Sequence, residues 1–403
     1  MVTGKLYDDR PYETEFSAEV LEVKKAEEPF CWNLVLDQTL FFPEEGGQSP
    51  DRGEIVIDSV TYEVVDVSIQ DEIITHKIRG TEEKAPAGER AEGRIYWQHR
   101  YSNMQNHTGE HIFSGLVHAQ KGYDNVGFHL SDRVVTMDYN GPLTEEEILE
   151  VTREANRVIA RNLPVNCAYP TEEELSDLEY RSKKEISGKV RIVTIPGVDV
   201  CACCAPHVRS TAEVGLLMVV GAQNYKGGTR LSILCGMRAV ADYQLKQNVL
   251  SLTGRNLSTS WENIPEAVDK LKRERDNFRY QTAALSGKLL EAEAKELPPG
   301  ENACLFTACT DRNVLIKVVD QMKQQYTGLF VIFSTAEGLY DPKEARAFSY
   351  VGASVSGDSR RLSECLKAEF GAKGGGKPQM VQGSVFASET ELRKLIDTGL
   401  VSC

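Results

Sequence analysis

No stretch of the sequence approaches the roughly 20 consecutive apolar residues that a membrane-spanning helix needs. The first residues, Met-Val-Thr-Gly-Lys-Leu-Tyr-Asp-Asp, also lack the basic and apolar segments of a secretory leader. A cytosolic protein is the expectation. Cysteine is too sparse for a disulfide scaffold, at 10 in 403 residues. An excess of positive charge is missing too: the formal net charge of -14 excludes a chain coated for indiscriminate nucleic-acid binding, while leaving room for a local basic face. With 41% hydrophobic and 26% charged residues the chain is neither fibrous nor largely disordered. Its length exceeds what one hydrophobic core usually serves, so two or three domains are expected, and no long internal repeat is present.

What is there begins with short alternating runs between residues 15 and 85, such as Phe16 to Val23, Trp32 to Leu36 and Glu54 to Ile57, separated by turns. They predict a small β-barrel or sandwich. From Arg100 to His118 the period changes, and Met104, Ile112, Phe113 and Leu116 predict a helix buried on one side. A second helix is expected from Thr144 to Arg161, with a capping residue and an acidic first turn, followed by strands at 190–195, 214–220 and 230–234. Between Val240 and Leu297 the spacing of Ala267, Leu271, Phe278, Leu285, Leu289 and Ala292 predicts a helix pair or short coiled coil, ended by Pro298-Pro299-Gly300. Alternating strand and helix signals then return. The fold class is α+β, divided at 1–90, 91–240, 241–299 and 300–403 into a barrel-like domain, an α+β domain, a helical linker and a C-terminal α/β domain.

The chemistry concentrates in two short segments. In His107-Thr108-Gly109-Glu110-His111 the histidines stand four apart, so a helix projects both from one face. In Cys201-Ala202-Cys203-Cys204-Ala205-Pro206-His207 the pair Cys203 and His207 has the spacing of two further soft ligands. Three imidazoles and a thiolate suit zinc better than magnesium or calcium. Spacing favours Cys203 over Cys204, and leaves Cys201 and Cys204 as buried filler or support for the thiolate. His107-x-x-Glu110-His111 also matches an inverted zinc-peptidase motif, but such peptidases add a carboxylate where this chain offers Cys203 and His207.

Arg100-Tyr-Ser-Asn-Met-Gln-Asn-His107-Thr-Gly-Glu-His111, taken with Cys203-x-x-x-His207, resembles the editing domain of alanyl-tRNA synthetases and of the free-standing alanyl-tRNA editing proteins. Phe42-Pro-Glu-Glu-Gly46-Gly47-Gln48 is similar to that family's glycine-rich loop, and Gly374-Gly375-Gly376-Lys377 through Gly383 resembles the glycine-rich motif of the synthetases' C-terminal domain and of some phosphoesterases. The motifs occur in family order across nearly the whole chain. With no aminoacylation domain ahead of the barrel, the resemblance implies the long form of a free-standing editor that acts in trans. Two departures stand out: Glu45 occupies the first place of the family's glycine triplet, and Cys204-Ala205-Pro206 replaces the synthetases' Gly-Gly-Thr.

The resemblance implies one zinc per chain, held by His107, His111, Cys203 and His207, and hydrolysis of the ester that joins serine, or glycine, to alanine tRNA. Such a second site answers a physical limit, because an alanine pocket cannot strongly reject a ligand that adds a hydroxyl or lacks one methyl group. Gly46, Gly47 and Gln48 are the expected substrate contacts. Thr108, Glu110 and His129 are the candidates for a catalytic role; Glu110 reads either as a base or as a solvated helix residue, and Asp138 also matches a family position near the pocket. Local basic runs at Arg181 to Arg191 and Lys270 to Arg279 are candidates for tRNA contact, with Lys270 and Arg273 foremost in the second. Gly374, Gly375, Gly376 and Lys377 could meet a phosphate. By resemblance, the seam at 267–292 and the last domain make a homodimer. A zinc-stabilised tRNA-binding protein without catalysis is the alternative.

Overall fold

A computed structural model describes residues 2–81, 85–182, 189–298, 300–355 and 357–398. Lys183, Lys184 and Glu185 of the first basic run, and Pro299 of the expected helix stop, lie outside the described residues. The chain divides into two compact units, 1–250 and 251–403.

In the first unit β1 (Gly4–Lys5) and the single turn α1 (Leu6–Asp9) precede β2 (Glu15–Lys25), β3 (Cys31–Leu36), β4 (Gln38–Thr39), β5 (Gly53–Ile57), β6 (Val60–Gln70), β7 (Ile73–Arg79) and β8 (Arg90–Ile95). Six of these close a barrel in the order β2-β3-β7-β6-β5-β8, while β1 pairs with β4. Period-two alternation makes the barrel: Ile55, Ile57, Val64, Ile74, Ile78, Ala91 and Ile95 point inward and are buried, and their neighbours along each strand face out.

Helix α2 (Trp97–Lys121) follows, and the expected one-sided burial is not what it shows. From Asn103 to Gly115 every residue is buried, because chain segments from the rest of the unit pack around the helix on several sides. Arg100, wholly buried, ties it to the barrel through Asp51, through Leu40 O at 2.5 Å and through Pro11 O at 3.0 Å. Further along, Met104, Ile112, Phe113 and Val117 enter a second core with the sheet β14-β15-β10-β9 and helix α3. That sheet comprises β9 (Asn125–Leu130), β10 (Val135–Tyr139), β14 (Leu217–Tyr225) and β15 (Gly228–Cys235). Helix α3 (Glu145–Ala160) starts as expected, at a capping box of Thr144 and Glu147. A small sheet β11-β12-β13 is made by β11 (Asn166–Ala168), β12 (Ile192–Ile195) and β13 (Asp199–Ala202), with the short α4 (Glu172–Ser176) in the intervening chain. The strand expected at 214–220 begins later, at Leu217, because Thr211–Val214 forms a 3-10 turn and Gly215 takes φ 80. Helix α5 (Gly236–Asn256) contains the boundary between the units.

The second unit opens with α6 (Ile264–Glu296), whose buried residues are Leu290 and Ala294. They pack with Val314, Leu315 and Val318 of α7 (Arg312–Met322). The sheet is β16 (Ala303–Thr307), β17 (Leu329–Ser334), β18 (Arg346–Ser354), β20 (Met380–Ala387) and β19 (Lys373–Lys377), in that order, with only β16 and β17 parallel. Helices α8 (Arg360–Phe370) and α9 (Glu389–Asp397) join its other core. Gly374, Gly375 and Gly376 form this edge strand rather than a free loop. A Cβ on Gly374 would stand 2.5 Å from both Gln382 O and the Tyr350 hydroxyl, so glycine is what lets β19 approach β20.

Candidate metal centre

His107 and His111 lie on successive turns of α2, and the loop after β13 brings Cys203 and His207 to them. The four candidate ligand atoms all lie within 4.8 Å of one another. Cys203 Sγ is 3.5 Å from His107 Nε2 and 3.4 Å from His207 Nε2. A tetrahedral ion with ordinary zinc bond lengths would separate sulfur from nitrogen by about 3.6 Å. Gly109 allows this helix to sit where it does: a Cβ there would stand 2.3 Å from Cys235 Sγ on β15.

Each histidine has its second nitrogen engaged. Nδ1 of His107 is 2.8 Å from Gln48 Oε1, Nδ1 of His111 is 2.8 Å from Asp199 Oδ2, and Nδ1 of His207 is 3.0 Å from Thr108 Oγ1. Such partners fix ring orientation and leave Nε2 as the ligating edge, the arrangement that outer-shell groups give metal-binding histidines. Arg181 grips Asp199 in turn, at 2.8 and 3.0 Å. Arg191, 6% exposed, donates to Cys203 O at 3.1 Å and Ala205 O at 2.8 Å, and its own carbonyl accepts Cys203 N–H at 3.0 Å. These two arginines of the first basic run are therefore spent inside the fold.

Electrostatics separate the three neighbouring thiols. Burial alone would raise Cys203, but the adjoining His107 and His207 rings draw it well below the usual thiol range. Burial instead pushes Cys201 up to about 12, and pushes Cys204 higher still with help from Cys203 and Glu45. Burial sends His207 down to about 3, a neutral ring ready to donate. At His111 burial acts downward too, but the bond to Asp199 and the neighbouring Cys203 outweigh it and lift the ring to about 9, so a cation held there would have to displace a proton. Three imidazole nitrogens and one thiolate fit a borderline-soft divalent ion.

The glycine-rich loop is tied down beside this cluster. Gly46 and Gly47 take φ 62 and 84, and a Cβ on Gly47 would stand 2.4 Å from Phe128 O. Gly47 O accepts Leu130 N–H at 2.7 Å, and Gln48 is wholly buried with no hydrogen-bond partner at Nε2. Glu110 is neither solvated nor exposed: its carboxylate accepts from Ser114 Oγ and Asn125 Nδ2, each at 2.7 Å. His129 is exposed on β9, facing away from Phe128, whose ring is 4.7 Å from that of His107. Asp138 is engaged by Arg230 at 2.5 and 2.6 Å. Lys270 and Arg273 are exposed on α6, and Gly374 to Lys377 on β19, in the second unit. Sequence reading missed Asp199, Arg181, Arg191 and Asn125 as partners around the centre; Asp199 is placed by the pairing of β12 with β13, Arg181 by its backbone bridge to Cys201 and Arg191 by the bond from Cys203 N–H, none of which has a spacing to read.

The family model for class II (A) tRNA synthetases matches residues 9–99, and that for the threonyl and alanyl tRNA synthetase second additional domain matches residues 190–232. An alanine–tRNA ligase of Methanoregula boonei is 29% identical over 94% of this chain and 41% of its own length. The alanyl-tRNA editing protein AlaX-L of Pyrococcus horikoshii is 28% identical over 97% of this chain and 96% of its own. The chain is thus similar to an alanyl-tRNA editing protein along nearly its whole length. It spans about two fifths of the ligases it matches and nearly the whole of the editing protein. In this chain the second matched segment contains Cys203 and His207, and the first contains the glycine-rich loop with Gln48.

Proposed function

We propose that this chain is a zinc-dependent trans-editing hydrolase that removes serine, and also glycine, from mischarged alanine tRNA in the cytoplasm. The observation that carries the reading is the convergence of His107, His111, Cys203 and His207 beside a glycine-rich loop, in a chain that matches an alanyl-tRNA editing protein end to end. A zinc bound by this set would supply an electrophilic anchor for the ester or for a water. The protein's own groups do the remaining work. Gly46 and Gly47 leave backbone open to the terminal ribose, and the buried, unpartnered Gln48 Nε2 is a donor that an ester oxygen can use. Thr108 is spent on His207 and on Val208 N–H, so it serves by holding a ligand.

In this reading 1–90 carries the loop, 91–240 the editing site, 241–299 the helical linker and 300–403 the tRNA-holding domain. Lys270, Arg273 and Gly374 to Lys377 are its RNA contacts. Exposed Leu271, Phe278, Leu285 and Leu289 on α6 form the homodimer seam. The test is deacylation of Ser-, Gly- and Ala-tRNA of the alanine type by zinc-loaded protein, beside His107→Ala. Expected are rapid loss of the serine or glycine ester, sparing of the alanine ester, and no turnover by the variant. One feature favours a second reading, a non-catalytic zinc-stabilised tRNA-binding protein: four protein donors close a zinc shell in the manner of structural sites. That reading gives tRNA binding with no turnover of any ester.

A further inference from the structure

His111 belongs to two donor groups at once. It completes the set with His107, Cys203 and His207, and with Asp199 and Cys201 it forms a second group whose ligand atoms also lie within 4.8 Å of one another, all three residues buried. What fills the second group in the fold is a chain of hydrogen bonds. His111 Nδ1 meets Asp199 Oδ2 at 2.8 Å, and the Arg181 guanidinium forks onto both Asp199 oxygens, Nε to Oδ1 at 2.8 Å and Nη2 to Oδ2 at 3.0 Å. Arg181 is pinned at this level by its own main chain: its N–H donates to Val200 O and its carbonyl accepts Ala202 N–H, both at 2.9 Å, which makes it a bridge partner of Cys201.

We infer that Arg181 selects between two metal sites: its fork commits Asp199 to accepting the His111 Nδ1–H, turns His111 Nε2 toward Cys203, and keeps a latent His111–Asp199–Cys201 site closed. Carboxylate, imidazole and thiolate together suit the same borderline divalent ions, zinc or cobalt, that the four-donor cluster suits. Two features of Arg181 hold that site shut. Its planar fork occupies both carboxylate oxygens, and its fixed positive charge repels a cation at Asp199. Both groups use the one His111 ring, so the two sites compete, and metal content per chain stays the same when the donor set changes.

The inference rests on the reading of the four-donor cluster as a metal site, and cobalt(II) is the probe that keeps the two questions apart, because a thiolate ligand gives bound cobalt an intense charge-transfer band. The comparison starts from Cys203→Ala, which removes the thiolate of the four-donor set. Adding Arg181→Met is expected to bring a thiolate band that vanishes when Cys201→Ala is added. Arg181→Met alone is expected to weaken zinc retention against a chelator by about 10- to 100-fold. A folded Arg181→Met, Cys203→Ala protein with no Cys201-dependent band overturns the inference. Should that variant not fold, as read by circular dichroism, Arg181→Gln in the same background carries the same comparison, since it keeps amide donors for Asp199 and gives up the charge. Native protein that takes up no cobalt at all overturns the four-donor reading instead.

Discussion

Two long helices of this chain answer differently to the same periodic rule. In α2 the sequence interleaves charged and amide residues with few apolar ones, yet the helix is buried from Asn103 to Gly115. In α6 the apolar residues recur at near-heptad spacing, yet Leu271, Phe278, Leu285 and Leu289 are all more than half exposed, and the buried residues are Leu290 and Ala294. The difference teaches that apolar period marks a face that can be covered, whereas buried polar residues mark a place where the fold has supplied partners. In α2 those partners are Asp51 for Arg100, Gln48 for His107, Asp199 for His111 and His207 for Thr108. Burying them without such partners would cost several kcal/mol, so the helix is legible as a functional element through its polarity.

The largest effect that sharpens this contrast is expected at Arg100. Arg100→Met leaves the buried Asp51 without its charged partner, with the Phe42 N–H still donating to it, and should cost about 3–5 kcal/mol of unfolding free energy in urea titration. A loss under 1 kcal/mol would mean that the helix-to-barrel tie carries little. Acid provides a second contrast. His76, wholly buried on the barrel wall between Thr39 Oγ1 and Leu34 O, is pushed by burial from 6.5 down to about 4. The unfolded chain therefore binds a proton at higher pH than the fold does, and stability falls as pH drops from 6.5 to about 4. At most about 3 kcal/mol should be lost through that window from this group, and His76→Gln should flatten the slope there.

Gly109→Ala sets helix propensity directly against packing. Propensity alone gives α2 a gain of about 1 kcal/mol. The added methyl stands 2.3 Å from Cys235 Sγ, so a net loss of about 1–3 kcal/mol is expected in the same titration. The smallest effect belongs to α6. Phe278→Ala should change monomer stability by less than about 0.5 kcal/mol, while sedimentation should show dimer lost if the exposed stripe is a seam between two copies.

Much of the candidate centre was legible because its ligands come as two local pairs. His107 with His111, and Cys203 with His207, are each spaced so that one short element presents both. The barrel was legible for the same reason, since alternation in segments such as Gly53 to Ile57 is local. What sequence could not supply is long-range. Gln48 reaches His107 across 59 positions and Asp199 reaches His111 across 88, so neither pairing has a spacing to read. Arg181 and Arg191 read as part of a basic run, but a backbone bridge to Cys201 holds the first inward and the bond from Cys203 N–H holds the second. The late start of β14 had a local cause in Gly215, but a strand pattern running from Val214 concealed it. Gly374 to Gly376 read from sequence only as a glycine run that could meet a phosphate, whereas Tyr350 and β20 require small residues for an edge strand to pass.

The proposed holding of a single zinc by three imidazoles and one particular thiolate is decided by the metal content of purified single variants. Native protein and Cys204→Ala are expected to retain one zinc per chain, while His107→Ala, His111→Ala, Cys203→Ala and His207→Ala each lose it under the same mild chelation. Zinc retained by Cys203→Ala and lost by Cys204→Ala would instead make Cys204 the thiolate ligand and overturn the proposed donor set.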